Sequence, residues 1–254
     1  MLGGTGEAVN LVQHVHKNFS AHIEIVTSLA GRTQYPTITA GTIRRGGFGG
    51  IEGLSQFIRE ENITALIDAT HPFAAQISRH ARIAAEMTKI PRLIFTRPSW
   101  VHHPDDQWFM VKDIEAAYES IQTIIQNRGP SASKLRVFLT IGSQEIAIFK
   151  NISCAEFLLR QIDPPKERLP SHIHVILGRG PFTLVDEMGL LRKHTIDVLI
   201  TKASGGEATY AKITAARQLK LPVIMIERPP LESGETTTEI TAALSWIAAH
   251  VGLS

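Results

Sequence analysis

The chain of 254 residues has one cysteine, Cys154. A lone thiol excludes an intramolecular disulfide and any cysteine-based metal cluster. It also fits a reducing compartment. No stretch approaches the 18 consecutive apolar residues that mark a transmembrane helix, so no membrane partner is expected. The first residues lack the charged-then-apolar layout of a signal peptide, and we expect a cytoplasmic protein. The formal net charge is only +2. A bulk nucleic-acid binder carries a stronger excess of Lys and Arg, so no nucleic-acid partner is expected. An anionic ligand must instead be met by a local cluster of cations.

What is present is an ordinary globular composition. Hydrophobic residues make up 43% and charged residues 20%, enough to build a buried core. The length suits one large or two small domains. Eleven histidines include the pairs His14/His16, His102/His103 and His172/His174. No carboxylate or cysteine completes a ligand set around them, and no metal site is expected.

Short apolar runs alternate with longer amphipathic ones. The runs predict strands over His22–Thr27, Ala65–Asp68, Arg92–Phe95, Leu135–Leu139, Glu156–Arg160, His174–Leu177, Asp197–Ile200 and Pro222–Ile226. Near-continuous apolar, β-branched runs suit strands buried on both faces. Helices are predicted over Glu7–Lys17, Leu54–Glu61, Phe73–Met87, Ile114–Asn127, Phe182–Arg192, Ala208–Leu219 and Glu239–His250. Asp113 and Gly129 read as the N-cap and C-terminal stop of the fourth. The alternation implies parallel sheets flanked by helices. The polar, turn-rich segment 127–134 reads as a linker. It divides the chain into expected lobes over 1–128 and 135–254.

The halves echo each other. Thr70, Ala84-Ala85, Pro91 and Arg97-Pro98 recur as Thr201, Ala215-Ala216, Pro222 and Arg228-Pro229, all at an offset of 131. The expected fold is therefore α/β with two Rossmann-like lobes and an active site in the cleft between them.

Ligands of open α/β sheets bind beyond the carboxyl ends of the strands, so the loops there carry the chemistry. Gly3-Gly4-Thr5-Gly6 opens the first helix. Its glycines let backbone amides approach a phosphate, and the helix adds its dipole. Val9 stands where the third glycine of a full fingerprint would be. Only Met1 and Leu2 precede the turn, although a phosphate loop should follow a strand; we expect the natural start upstream. Arg32 lies 26 residues past Gly6 with no acid near it, which favours a 2′-phosphate and hence NADPH. Arg44, Arg45, Gly46, Gly47 and Phe48 open a backbone-dense, mobile loop suited to anionic groups. Asp68, Thr70 and His71 leave the third predicted strand together, and an imidazole there suits proton shuttling. Local capping by Asp68 and Thr70 is the plain alternative. In the second half, Thr140–Ser143 and Gly178–Phe182 are strand-to-helix turns, the latter carrying Arg179. Thr201–Gly206 joins Lys202, Ser204 and Gly205 in a ready anion site.

Together these segments resemble the precorrin-6A reductases of cobalamin biosynthesis. The resemblance rests on Gly3–Ala8, Ser28–Arg32, Arg45–Gly50, Asp68–Ala74, Arg97–Trp100, Gly178–Phe182 and Thr201–Gly206, in the family's order and spanning nearly the whole chain. It departs from the family in the missing first strand and in Ala203, where the family is commonly more polar. The resemblance implies an NADPH-dependent oxidoreductase that reduces a C=C bond of a tetrapyrrole, precorrin-6A, to precorrin-6B. A cobalt-containing macrocycle is the anaerobic counterpart. Gly3, Gly4, Thr5, Gly6, Arg32, Asp68, Thr70, Ser204 and Gly205 are then expected at the cofactor. Arg44, Arg45, Gly46, Gly47, Phe48, Arg179 and Lys202 are expected at the carboxylate-fringed substrate. His71 and Lys202 are the candidate catalytic residues, with solvent as the other proton source. A monomer or weak homo-oligomer is expected.

Two rivals remain at this level. Short-chain dehydrogenases and sugar-nucleotide epimerases carry Tyr-x-x-x-Lys, but Tyr35, Tyr118 and Tyr210 are followed four residues on by Thr39, Gln122 and Thr214. A non-catalytic nucleotide sensor would need no anion-rich second lobe.

Overall fold

The computed structural model describes residues 1–31, 40–129 and 132–252. The chain forms two compact units and crosses between them twice. Met1–Pro98 and Pro229–Ser254 make the first; Ser99–Arg228 make the second.

The chain begins in the first unit with α1 (Gly6–Phe19), β1 (Val26–Leu29), β2 (Thr42–Arg45), α2 (Ile51–Glu60), β3 (Leu66–Asp68), α3 (Ala75–Thr88) and β4 (Arg92–Phe95). It then builds the second unit from β5 (Trp108–Val111), α4 (Ile114–Arg128), β6 (Leu135–Thr140), a 3-10 turn (Glu145–Asn151), β7 (Ala155–Gln161), β8 (Ile173–Leu177), α5 (Leu184–Lys193), β9 (Val198–Lys202), α6 (Ala211–Gln218) and β10 (Val223–Ile226). It returns to the first unit for β11 (Glu235–Thr237) and α7 (Ile240–His250).

The place of a strand before Gly3 is taken by Met1–Gly3, centred on Leu2. Leu2 bridges in parallel to Ser28 on β1 and to Asp68 on β3. Its N–H donates to the Ile67 carbonyl at 2.8 Å, and its carbonyl accepts from Ala69 at 2.9 Å. The first sheet therefore runs β2-β1-Leu2-β3-β4-β11, all parallel. Leu66 and Ile67 show how it is covered. Neighbouring strand residues face opposite ways. Ile67 packs among Leu11, Val12, Trp246 and Ile247 of α1 and α7, while Leu66 packs among Leu54, Ile58, Ala84 and Ala85 of α2 and α3.

The second sheet runs β5-β10-β9-β6-β7-β8, again all parallel. Phe138, Leu199, Ile213 and Met225 centre one of its cores. Val198–Ile200 and Val223–Ile226 are buried throughout, as their unbroken apolar runs predict.

Numbered within each unit, the two sheets have one order. Leu2, β1, β2, β3, β4 and β11 stand in the order 3-2-1-4-5-6. So do β6, β7, β8, β9, β10 and β5. The sixth strand is exchanged: β5 follows β4 in the chain but pairs with β10, and β11 follows β10 but pairs with β4. The helix after each goes with it, since α7 packs with β4 and α4 with β10. The crossings fall at Pro98–Ser99 and Arg228–Pro229, at the two Arg-Pro pairs of the internal repeat.

This relocates the division of the chain. The segment 127–134 lies inside the second unit, from the end of α4 to the start of β6, and the expected lobes 1–128 and 135–254 each mix both units. A polar, turn-rich segment marks a loop, but only pairing says which sheet receives the next strand. Several strands also escaped the sequence reading. Thr42–Arg45 is half polar, Trp108–Val111 is an edge strand with an exposed centre, and Glu235–Thr237 has three residues. None makes a buried apolar run. The strand expected over His22–Thr27 forms over Val26–Leu29, where Thr27 and Ser28 are buried despite their hydroxyls. Asp113 caps α4 through Ala116 N–H, and Gly129 ends it at φ 75°.

Candidate functional site

In a sheet of this order the crevice opens where the direction of strand addition reverses, between the first and fourth strands. In the first unit that point lies between Leu2 and β3. The turn after Leu2 contains Gly4 at φ +110°, a conformation that side chains disfavour, with open space where a Cβ would lie. Thr5 closes the turn. Its hydroxyl accepts from Ala8 N–H at 3.1 Å, capping α1, and donates to the Ala69 carbonyl across the crevice at 2.9 Å. Glu7, in the first turn of α1, pairs with Arg97 beyond β4 at 3.1 Å. Burial pushes the Arg97 guanidinium below its ordinary value, with the Glu7 carboxylate opposing the shift.

On the other side of that crevice a shallow depression opens at the ends of β3 and β4, lined in part by Asp68, Thr70, His71, Ser78, Thr96 and Glu232. Asp68 is 2% exposed. Its Oδ1 accepts from the Thr70 N–H at 3.2 Å and hydroxyl at 2.7 Å. Its Oδ2 is buried with no hydrogen-bond partner among the described residues. A buried carboxylate oxygen left unpaired is costly, so it calls for a donor from a ligand or water. His71 Nδ1 accepts from Phe73 N–H at 3.2 Å, which places the proton of the neutral ring on Nε2.

The loop 44–50 is held by its own arginine. Arg44 donates to the Gly46 and Gly47 carbonyls at 2.7 and 2.8 Å and lies 3.9 Å over the Phe48 ring. The expected mobile, anion-facing role is thus a bracing role for Arg44, while Arg45 is exposed beside it. Arg32 lies outside the described residues.

In the second unit the corresponding crevice lies between β6 and β9. Lys202 ends β9, and its Nζ pairs with Glu145 Oε1 at 2.5 Å. Glu145 Oε2 accepts from Gly142 N–H at 2.8 Å. One carboxylate therefore ties the turn after β6 to the cation after β9. Arg179 is exposed in the turn 178–182. Phe182 folds back beneath that turn, so a Cβ on Gly178 would meet its ring at 3.2 Å. Arg160 lies 4.0 Å over the same ring and pairs with buried Glu187 at 2.6 Å.

The first unit thus gathers Gly3–Gly6, Asp68, Thr70 and His71, with Arg44–Phe48 on its third strand and loop. The second gathers Arg179, Lys202, Ser204 and Gly205. The expected cofactor residues are divided, with Ser204 and Gly205 on the loop of Lys202. Sequence reasoning missed Glu145, Arg160, Glu187 and Ser78, because a single polar residue in an amphipathic segment carries no signal of its partner. Arg97 and Arg228 had one, the repeated Arg-Pro. Among the described residues, no helix is long and apolar enough to cross a membrane, and no three His, Cys, Asp or Glu are grouped to hold a metal ion.

An all-parallel sheet in the order 3-2-1-4-5-6, with a glycine turn at its reversal point, defines an α/β protein of the Rossmann class. The family model described as precorrin-6x reductase CbiJ/CobK matches residues 1–248. The chain belongs to this family of oxidoreductases. It is 43% identical over 248 residues to the precorrin-6A reductase of Rhodococcus erythropolis, covering 97% of this chain and 96% of that protein. It is 30% identical over 208 residues to the cobalt-precorrin-6A reductase of Priestia megaterium, covering 76% and 77%. The solved structure of CobK precorrin-6A reductase superposes with a TM-score of 0.88 at 38% identity, covering 98% of this chain and 95% of that one.

Proposed function

We propose that this protein reduces precorrin-6A to precorrin-6B with NADPH, binding the nucleotide on the first unit and carboxylates of the macrocycle on the second. The observation that carries the placement is the reversal point between Leu2 and β3, where a glycine turn faces a buried, half-paired carboxylate. The residues there suit a dinucleotide. The turn 3–6 offers amides and the α1 dipole to the diphosphate, and Asp68 Oδ2 offers an acceptor to a ribose hydroxyl or carboxamide. Arg32 follows the second strand, where a 2′-phosphate is met. When bound, NADPH supplies the hydride.

The protein's own residues orient and charge-match. Lys202 and Arg179 receive carboxylates of the substrate. Ser204 and Gly205 share the loop of Lys202, and we place them with the substrate in preference to the cofactor. Arg45 serves an anion beside the brace of Arg44, Gly46, Gly47 and Phe48. Solvent supplies the proton to the carbon next to the one that takes the hydride, and His71 Nε2–H orients that water. The cobalt-free macrocycle is the favoured substrate, because the higher identity is to a relative named for it.

Incubation with precorrin-6A and NADPH tests this. Loss of nicotinamide absorbance coupled to a chromophore change is expected, and NADPH binding without turnover refutes it. Lys202→Ala raises KM for the macrocycle, whereas His71→Ala lowers kcat. Wild-type kinetics in both variants would remove these assignments.

A further inference from the structure

We propose that Arg160 is a positioning residue that sets the turn 178–182, and with it Arg179, for a substrate carboxylate. This rests on the reading above that Arg179 receives a carboxylate of the macrocycle. Arg179 is exposed and stands between Gly178 and Gly180. Neighbours without side chains give it no lateral support, so its reach depends on how the backbone beside it is held. Both flanks are held. Gly178 N–H donates to the Gln161 carbonyl of β7 at 2.9 Å, and Phe182 N–H donates to the Ala208 carbonyl at 3.3 Å. The Phe182 ring lies against both glycines: a Cβ on Gly178 would meet it at 3.2 Å, and one on Gly180 at 3.5 Å. A Cβ on Gly180 would also meet the Ala208 carbonyl oxygen at 2.9 Å. The segment leading to Ala208 is fixed in turn. Trp100 Nε1 donates to the Gly206 carbonyl at 2.8 Å, and Arg228 Nε and Nη2 donate to the Ala203 and Ser204 carbonyls at 2.7 Å each.

Arg160 seats the ring. Its guanidinium lies 4.0 Å from the centroid of Phe182 and 4.8 Å from that of Phe138. Its Nη1 donates to Glu187 Oε1 at 2.6 Å, and Glu187 is 0% exposed. Thr183, the residue after Phe182, caps α5, the helix that carries Glu187. The exit of the turn and the partner of Arg160 are thus parts of one rigid element. An apolar pair would fill the same space at a cost in stability close to neutral. What an apolar pair lacks is direction. A charge-assisted hydrogen bond fixes the guanidinium, and the guanidinium fixes the ring against which both glycines rest.

Two variants test the proposal, assayed with precorrin-6A and NADPH alongside Arg179→Ala. Arg160→Met/Glu187→Leu removes both charges together. Phe182→Leu keeps an apolar side chain and removes the ring. Each is expected to raise KM for precorrin-6A about three- to tenfold, as when a binding side chain must be immobilised by its ligand. Both keep kcat within about twofold. The Kd for NADPH, read by nucleotide fluorescence, stays at the wild-type value. In an Arg179→Ala background neither change raises KM further, because a residue that acts through Arg179 has nothing left to act on. Should Arg160→Met/Glu187→Leu fail to fold, Phe182→Leu decides alone. Unchanged KM in the folded variants, a fall in kcat with KM unchanged, or an equal rise in KM without Arg179 overturns the positioning role. So does a Kd for NADPH that weakens in step with KM, the mark of a general loss of structure. If Arg179→Ala raises KM in any of these cases, the reading of Arg179 survives. If Arg179→Ala leaves KM unchanged, that reading fails and the positioning role fails with it.

Discussion

Removing the cation beneath the turn 178–182 should destabilise the second unit far more than removing the whole ion pair. Arg160 on β7 and Glu187 on α5 meet at 2.6 Å, with side chains 10% and 0% exposed. The pairing atom is Glu187 Oε1, and Oε2 has no hydrogen-bond partner among the described residues, so Arg160 carries the neutralisation of the carboxylate. The guanidinium also lies between Phe138 at 4.8 Å and Phe182 at 4.0 Å. Arg160→Met keeps much of the volume but strands a buried carboxylate, and a broken buried pair costs about 3–5 kcal/mol. For a unit of this size that lowers the thermal midpoint by roughly 10–15 °C. In Arg160→Met/Glu187→Leu no buried charge remains. Replacing both partners is neutral to within about 1–2 kcal/mol, less the two cation–π contacts, which contribute about 1 kcal/mol each. Thermal and denaturant unfolding of wild type, both single variants and the double variant measures the coupling. A double variant no more stable than Arg160→Met would refute the reasoning, as would a loss below about 1 kcal/mol in that single variant.

Gly53→Ala on α2 should lose at least about 2 kcal/mol in denaturant unfolding, although helix propensity alone favours alanine by about 1 kcal/mol. The new Cβ would overlap the Phe48 carbonyl oxygen, a backbone atom that no rotamer change can move, so a gain in stability would contradict the geometry. Thr5→Val removes the cap of α1 and the bond to Ala69; a stability loss of about 1–2 kcal/mol and weaker NADPH binding in a titration are expected. Asp113→Ala removes the cap of α4 and should cost about 1 kcal/mol with kcat and KM unchanged, making it a control for stability alone. Arg44→Lys loses the fork to Gly46 and Gly47, so limited proteolysis should cut the loop 46–50 faster than in wild type.

Much of the fold was legible because buried parallel strands leave an unbroken apolar run. Val198–Ile200 and Val223–Ile226 declared themselves this way, and Asp113 named the start of α4. The repeat at an offset of 131 marked two corresponding βαβ units, β3-α3-β4 and β9-α6-β10, and its Arg-Pro pairs fall where the chain changes unit. The exchange of sixth strands was not legible. β5 and β11 are short or exposed edge elements, and nothing in their residues names the strand they join. The apparent lack of a first strand had a similar cause. Met1–Gly3 pair with β1 and Leu2 with β3, and so short a run carries no strand signal.

The site divides along the same line. Glycines at turns, Asp68-Ala-Thr70-His71 at a strand end and Lys202 before two glycines are chemical facts of the sequence, because backbone freedom and charge belong to residue types. Which atoms those residues face is a fact of tertiary structure. Arg44 stood in sequence as a candidate for anions, and its hydrogen bonds make it a brace. Lys202 gained Glu145 from 57 residues away, and the loop after it gained Arg228 and Trp100. By itself the sequence determined the family, the parallel α/β class and the chemistry of the loops. Only the fold decided which strand completes each sheet and which polar atoms are spent on structure, since hydrogen-bond partners across sheets are set by distance in space and leave no period along the chain.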